Sequence, residues 1–342
     1  MLMGKRRSWM LLAQIIIIAG LLGMAFSDTA TQLQQIALFA LLVAFGSATQ
    51  DIVIDAYRIE AVDKLFQGAM AATYVLGYRL ALLAAGAGSF YIAEAYSWQT
   101  AYCFMAMLMS VGIITTLSIR EPEHVINEDT IRLEAKLEAA IGLDDKRSFF
   151  TKVSAWFIDS VISPFVEFFQ RNGWLAIFIL LLIGSYRISD ITMGVMANPF
   201  YLDSGFSKTE IASVTKVFGF FMTIFGAGLG GILVLRYGIL RPLLVGAILV
   251  VLTNLLFIVL AVSEANLILL ATVISVDNLS GGIASSVFIA YLSSLTSTSY
   301  TATQYALFSS LMTLPAKVIG GFSGMVVDSV GYASFFLYSG AL

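Results

Sequence analysis

The stretch Leu11-Leu-Ala-Gln-Ile-Ile-Ile-Ile-Ala-Gly-Leu-Leu22 interrupts its apolar run with a single polar side chain, Gln14. A membrane β-strand alternates apolar and polar residues, and this stretch does not. A surface helix of a soluble protein would carry a polar stripe, and this one does not. What remains is a helix that crosses lipid, where every backbone polar group must be satisfied within the segment itself. The same reading repeats along the chain. Apolar blocks of about twenty residues, long enough for a hydrocarbon core of ~30 Å, fall near 9–26, 33–56, 68–93, 98–119, 172–197, 210–235, 240–262, 267–292 and 304–327. A further block begins at about 332.

Composition agrees with that count. Hydrophobic residues make up 59% of the 342 and charged residues 12%, against roughly 45–50% and about 25% in soluble domains. Too little charge is present to coat a soluble globule of this size. The expected fold is all-α: a polytopic membrane helical bundle of about nine full spans plus a partial tenth. A net charge of −3 says little, because charge is segregated by position. The lone Cys103 excludes a disulfide framework, and the lone His124, in a polar loop, excludes a histidine-rich metal site. No metal or cofactor is expected.

Lys and Arg set the orientation. With the N-terminus in the cytoplasm, one set of loops holds Lys5, Arg6, Arg7, Arg58, Lys64, Arg120, Arg132, Lys136, Lys146, Arg147, Lys152, Arg171, Arg236 and Arg241, and the opposite set holds Lys208 alone. The polar segment 120–171 is therefore expected in the cytoplasm. It divides the chain into an N-terminal bundle, 1–119, a central loop, 120–171, and a C-terminal bundle, 172–342. The loop contains an amphipathic helix candidate, Thr130 to Ile141. It ends in Ile162-Ser-Pro-Phe-Val-Glu-Phe-Phe-Gln-Arg171, where aromatics mixed with charge suit the headgroup plane. The plainer reading is a solvated linker between bundles.

Ionisable residues inside spans cost roughly 2.5–3.5 kcal/mol each on insertion scales, so they pair with one another or face water, and they mark transport pathways. Here they are Asp51, Asp55, Arg79, Arg187, Asp190, Lys216, Asp277 and Lys317. Asp51, Asp55 and Arg58 share one helix face by their spacing of four and three. Arg58, at the cytoplasmic boundary, can pair with Asp55, while Asp51 lies a turn deeper. A carboxylate pulled one way by burial and the other by a cation can exchange a proton. The alternative is a permanent ion pair that locks helices together. Arg187 and Asp190, three apart, can reach each other or partners across the bundle. Arg79, Lys216 and Lys317 have no local partner on their own helices, so they neutralise the acids or bind an anionic substrate. Gln50, Asn278 and Gln304 can read hydroxyls or serve as glue between helices.

Two spans resemble each other. Gln67 through Arg79 and Gln304 through Lys317 both begin polar and reach a cation about a dozen residues on; small residues follow, Gly86 and Gly88 in one, Gly320, Gly321 and Gly324 in the other. Paired bundles with internal repeats are a transporter pattern, with substrate held near the midplane. Enzyme signatures such as GxSxG, HExxH, CxxC or a P-loop lysine are lacking in any plausible context. Gly226-Ala-Gly-Leu-Gly-Gly231 lies in an apolar helix and reads as close packing.

The run Ala48-Thr-Gln-Asp-Ile-Val-Ile-Asp-Ala-Tyr-Arg58 resembles the signature of the AmpG-type muropeptide permeases of the major facilitator superfamily. Gly4-Lys-Arg-Arg-Ser-Trp9, Leu76-Gly-Tyr-Arg79, Asn278-Leu-Ser-Gly-Gly282 and Ala302-Thr-Gln-Tyr-Ala306 add to the likeness, in the expected order. The resemblance implies proton-driven import of anhydro-muropeptides (GlcNAc-anhydroMurNAc and its peptides) across the bacterial inner membrane for cell-wall recycling. Its partners are then an acidic amino-sugar peptide, protons and the lipid bilayer, and no nucleic acid. By matching position it implies functional roles for Gln50, Asp51, Asp55, Arg79, Lys216, Asn278 and Gln304: proton coupling is expected at Asp51 and Asp55 and substrate contact at the others, to which the charged span residues Arg187, Asp190 and Lys317 are added from their placement. Arg58 and Asp277 are read as structural ion-pair members. Asp277 stands where the family often has glutamate. Lys317 stands where arginine is common, which loses the planar fork that grips carboxylates at two points.

By the same likeness, Gly4 to Arg7 matches the loop after the family's second helix, so two helices are expected to be missing before it and the twelfth to be cut short. Three other readings compete with the permease: an acetyl-coenzyme A or other organic-anion transporter of the same superfamily, a polytopic membrane enzyme acting on lipid-linked sugars, and an inactive fragment.

Overall fold

A computed structural model of the chain describes residues 4–28, 31–122, 131–132 and 157–342. Among the described residues eight helical segments are long and apolar enough to cross a bilayer. A ninth results if 301–320 and 323–341, bent by 70° at their junction, form one span. The amphipathic candidate Thr130 to Ile141, apart from Ile131 and Arg132, lies outside the described residues, as do His124 and the cations Lys136, Lys146, Arg147 and Lys152.

The chain forms two compact units, one from 1–62 and 77–125, the other from 63–76 and 126–342. In the first, α1 (Lys5–Ala25) packs against α2 (Leu33–Glu60) and α5 (Trp98–Ser118). Along the chain between α2 and α5, α3 (Gln67–Leu83), whose residues up to 76 belong to the second unit, runs through a π-helical turn at Ala84–Gly88 into α4 (Ser89–Ala95). α1 and α2 come close because Gly46 faces Ile17, where a Cβ would stand 2.9 Å from its Cγ1.

Charge fastens the basic end of this unit. Arg6 grips Glu60 with two parallel bonds, Nη2 to Oε1 at 2.6 Å and Nε to Oε2 at 3.0 Å. The first amides of α1, on Arg6 and Arg7, donate to the Glu121 carboxylate at 2.6 and 3.0 Å. An anion suits that place, since helix N-termini present unpaired N–H groups and positive dipole ends. Arg7 in turn donates to the Thr116 and Leu117 carbonyls at the end of α5, at 2.9 and 2.8 Å. Deeper in the unit, Gln14 and Thr116 bond at 2.9 Å, both buried. The polar residue inside the first apolar run is thereby satisfied.

The second unit contains α6 (Ser163–Asn172), α7 (Leu175–Ser185), α8 (Ile188–Asp203), α9 (Lys208–Ser213), a π-turn at Val214–Gly219, α10 (Phe220–Tyr237), α11 (Leu240–Val262), α12 (Leu267–Leu295), α13 (Thr301–Gly320) and α14 (Ser323–Ala341). Its closest pair is α10 with α12. A Cβ on Gly226 would overlap the Leu279 carbonyl, and one on Gly282 would overlap that of Thr223. Small residues therefore set this contact, as the glycine run suggests, because in lipid helices associate by close backbone approach. On the far side Phe200, Tyr201, Phe257, Phe335 and Phe336 form an aromatic core joining α8, α11 and α14.

Two boundaries differ from the sequence reading. The last helices part at Gly321-Phe322, earlier than the expected end at 327, and α14 breaks again at Gly331, whose φ of +78° belongs to glycine's left-handed region. Hydropathy is continuous through both points and does not register them. The expected 1–119 bundle also cedes 63–76 to the second unit. There Gly68 meets α10, where its Cβ would stand 2.7 Å from Val234, and Gly231 would bring its own Cβ within 2.9 Å of the Gly68 carbonyl oxygen.

Candidate functional site

On α2, Arg58 Nη2 lies 3.3 Å from Asp55 Oδ1, one helical turn apart on a shared face. Arg58 is buried and Asp55 partly so, while Asp51, a turn earlier on the helix, is exposed. Gln50 beside it keeps Oε1 buried without a partner among the described residues. Arg79 is half-buried on α3, five residues before the π-turn at Ala84.

In the second unit the ionisable residues are drawn into a network. Arg187 stands at the α7–α8 junction. Its Nη2 binds Asp190 Oδ2 at 2.6 Å and its Nη1 donates to Ser285 Oγ on α12 at 2.5 Å. Arg187 Nε remains buried without a partner among the described residues. Tyr186 lies flat on Phe288, ring centroids 4.4 Å apart, and donates to the Leu243 carbonyl at 3.0 Å. One turn on, Ser189 accepts from Asn254 Nδ2 of α11 at 2.6 Å, both groups buried. Asp277 on α12 lies near Thr253 and Asp190, while the Thr253 hydroxyl itself donates back to the Val250 carbonyl at 2.9 Å. Tyr186, Arg187, Ser189 and Asp190 line a cavity of about 210 Å³ between α7, α8, α11 and α14. Buried polar groups in a membrane bundle are ordinarily paired, and one left over marks a place for water or a polar passenger.

Other expected site residues are engaged elsewhere. Asn278 bridges α12 and α10: its Oδ1 accepts from Thr223 at 3.0 Å, and its Nδ2 donates back to the Ile274 carbonyl at 2.9 Å. Gln304 is almost wholly buried and every part of its amide is used. Nε2 donates to the Pro164 carbonyl at 2.9 Å and to Glu167 at 2.6 Å, and Oε1 accepts from the Ser297 amide at 2.7 Å. It clasps α6 to the start of α13, where Phe168 packs on Phe308. Arg171 fastens the same helix to the Leu295 carbonyl at 2.5 Å. Lys317 is exposed, close before the bend at 321–322. Lys216 sits in the π-turn, and its side chain lies outside the described residues.

Sequence reading did not single out Ser189, Asn254, Ser285 or Thr253. Each is a small polar residue inside an apolar span, a weak signal on its own, and only the fold brings them beside Arg187, Asp190 and Asp277.

The model of the Major Facilitator Superfamily matches residues 2–341. The chain belongs to that superfamily. Among relatives, "Putative transporter AmpG 4" of Rickettsia conorii is 31% identical over 338 residues, 98% of this chain and 76% of that one. The "Anhydromuropeptide permease" of Escherichia coli K12 is 35% identical over 339 residues, 98% of this chain but 63% of that one. The chain thus spans less than two thirds of the permease's length. Solved facilitators share the fold at low identity. The proton:xylose symporter XylE bound to 6-bromo-6-deoxy-D-glucose has a TM-score of 0.66 at 12% identity, covering 98% of this chain and 77% of its own. The human organic anion transporter MFSD10 has a TM-score of 0.59 at 14%, covering 98% and 75%. These relatives and neighbours are transporters, not enzymes, and a facilitator chain with eight or nine crossing helices is a multi-span membrane protein.

Proposed function

We propose that the chain is a secondary transporter that carries anhydromuropeptides across the bacterial inner membrane, with the central loop in the cytoplasm and with proton coupling. The observation that carries this reading is the 35% identity to an anhydromuropeptide permease along 98% of the chain. The chemistry of the spans suits such a passenger. An acidic amino-sugar peptide brings carboxylates and hydroxyls. Arg187, with its guanidinium Nε–H to spare, and the cavity beside it meet them inside the second unit. In the first unit Gln50 and Arg79 are the proposed contacts for the same passenger, and Asp51 and Asp55 serve as coupling carboxylates. Asp55 is held by Arg58, so protonation releases that pair. Asp51, exposed and deeper, is the group a proton reaches first. Gln304 and Asn278, by contrast, serve as clasps.

The test is uptake of labelled GlcNAc-anhydroMurNAc-tripeptide into proteoliposomes holding the 342-residue chain, with and without an imposed proton gradient. Accumulation should follow the gradient, and Asp55→Asn should abolish accumulation while leaving substrate exchange at equal concentration. Undiminished gradient-driven uptake in both Asp51→Asn and Asp55→Asn removes the coupling role. Acetyl-coenzyme A, added as competitor, should not inhibit; inhibition would shift the substrate to another organic anion.

A further inference from the structure

The ion pairs above leave unused a groove of about 710 Å³ in the second unit, between α9, the π-turn and α12. Small-molecule sites fall at roughly 300–1,000 Å³ and are mostly apolar with a few convergent polar groups. This groove fits that description. Phe218 and Ile268 give it apolar walls, Ser213, Thr272 and Ser275 line it with hydroxyls, and Glu210 closes one end.

The π-turn creates the groove's face. In a regular α-helix, residues five apart point about 140° away from one another. A π-turn closes i→i+5 rings and, with more residues per turn, narrows that angle. Ser213, just before the turn, and Phe218, within it, stand at that spacing, and both line the groove. Without the widened turn the hydroxyl and the ring would look in different directions.

Glu210 decides what kind of ligand suits the site. It completes a capping box, taking bonds from the Ser207 hydroxyl at 2.7 Å and the Ser207 amide at 2.9 Å, both on Oε2. Oε1 is left for another donor. Those bonds, the side chain's first and the backbone's second, hold the carboxyl below its usual range. An ionised carboxylate accepts hydrogen bonds and donates none, and it repels carboxylate and phosphate. The ligand therefore presents O–H or N–H groups here, together with an apolar face for Phe218, whose ring is 45% exposed.

We propose that this groove binds the N-acetylated amino-sugar end of the transported molecule, with Glu210 Oε1 accepting from its hydroxyl or acetamido N–H and Phe218 covering the ring face or acetyl methyl. The sugar's identity rests on the transport reading above. On the orientation given there, α9 and the start of α12 lie on the side opposite the basic loops, from which an imported solute arrives. The repulsion at Glu210 then turns the peptide carboxylates away from this end.

The test uses the full chain in lipid nanodiscs and chitobiose, the neutral disaccharide of N-acetylglucosamine, observed by saturation-transfer NMR. Transfer is expected to the acetamido methyls, with cellobiose, which lacks them, giving none. Phe218→Ala and Ser275→Leu should each weaken binding about tenfold, roughly 1.4 kcal/mol. The proposal is overturned if chitobiose does not bind, if both variants bind it as the unmodified chain does, or if a fatty acid displaces it and so reveals a lipid site. Muropeptide uptake separates the two readings. Uptake with unchanged KM in Ser275→Leu sinks the groove and leaves the transporter, whereas variant-sensitive chitobiose binding without any muropeptide uptake does the reverse.

Discussion

The acids of α2 and those around α8 are spaced alike yet live differently. Asp55 and Arg58 are three residues apart, as are Arg187 and Asp190, and both pairs form. Around the first, Asp51 faces outward and Asp55 leans on its own helix neighbour. Around the second, the pair is tied to Ser285 on a different helix, and Asp277, Thr253 and Asn254 crowd close by. Asp55 is met by a guanidinium one turn along its own helix, whereas the Arg187–Asp190 pair is tied across to α12 and opens only if those helices move. On this contrast the proposed coupling carboxylates belong on α2, and the proposed substrate contact Arg187 is a counter-charge fixed by its neighbours.

The contrast breaks most visibly at Arg187. Replacing it with Met strands Asp190 beside Asp277, and removing one partner of a buried pair costs roughly 3–5 kcal/mol. The loss here should fall toward the lower end, because the two side chains keep 22% and 24% exposure. Thermal unfolding in detergent should show that loss, and the double variant Arg187→Met/Asp190→Leu should recover much of it. No recovery would mean that Ser285, not Asp190, is the partner that matters. Asp51→Asn, on the exposed side of the comparison, should change stability by less than about 0.5 kcal/mol, measured the same way.

A second break compares glycine contacts. Gly226→Val drives a branched side chain into the Leu279 carbonyl. Overpacking costs typically 1–3 kcal/mol, and backbone cannot yield as a side chain can, so the upper figure is expected. Gly228→Val on the same helix meets open space and should be nearly neutral. Equal losses at the two positions would show that contact with the Leu279 carbonyl does not govern this segment.

Much of this was legible beforehand, and the limits have physical causes. Lipid forces long apolar runs, so the spans and the i,i+3 pairs on one helix can be read from spacing alone. Gln304 shows where that ends. As an amide in a polar-starting helix it looks equally like a substrate contact or a clasp. Only the placement of Pro164, Glu167 and Ser297, from 7 to 140 residues away, exposes the clasp. Asn278 is the same case across α10. The bend at 321–322 and the turn at 214–219 were hidden because hydropathy does not register backbone geometry, and the groove at Phe218 depends on the latter. Arg6 and Arg7 read as mere inside markers, yet their work is to hold Glu60 and Glu121 at three helix ends.

Gln304→Ala tests the clasp with a smaller effect. It leaves the Pro164 carbonyl without its donor and takes one of two donors from the Glu167 carboxylate, which keeps Arg171 at 3.3 Å, a loss of about 1–3 kcal/mol for groups that stay buried. Because α6 lies at the edge of its unit, the loss should appear locally. Protease cleavage within 163–172 should quicken while the unfolding temperature of the remaining helices barely shifts. A global drop with no local opening would place Gln304 in the core of the bundle's stability.

The smallest effect concerns Glu210, whose capping box is wholly at the surface. Its carboxyl is depressed below the usual 4.5 by the Ser207 contacts. A depressed carboxyl stabilises the folded form above its unfolded value, and that contribution is lost as pH falls through the lower folded value. The box therefore holds at neutral pH and opens only on acidification below 4.5. Hydrogen exchange at the amides of 208–211, corrected for intrinsic rates, should quicken across that window and stay flat in Glu210→Gln, which keeps an acceptor but cannot titrate. At neutral pH the Gln variant should protect those amides only slightly less than the parent. A loss of protection already complete at neutral pH in Glu210→Gln would mean that charge near the helix start, rather than the reciprocal bonds with Ser207, holds α9 in place beside the groove.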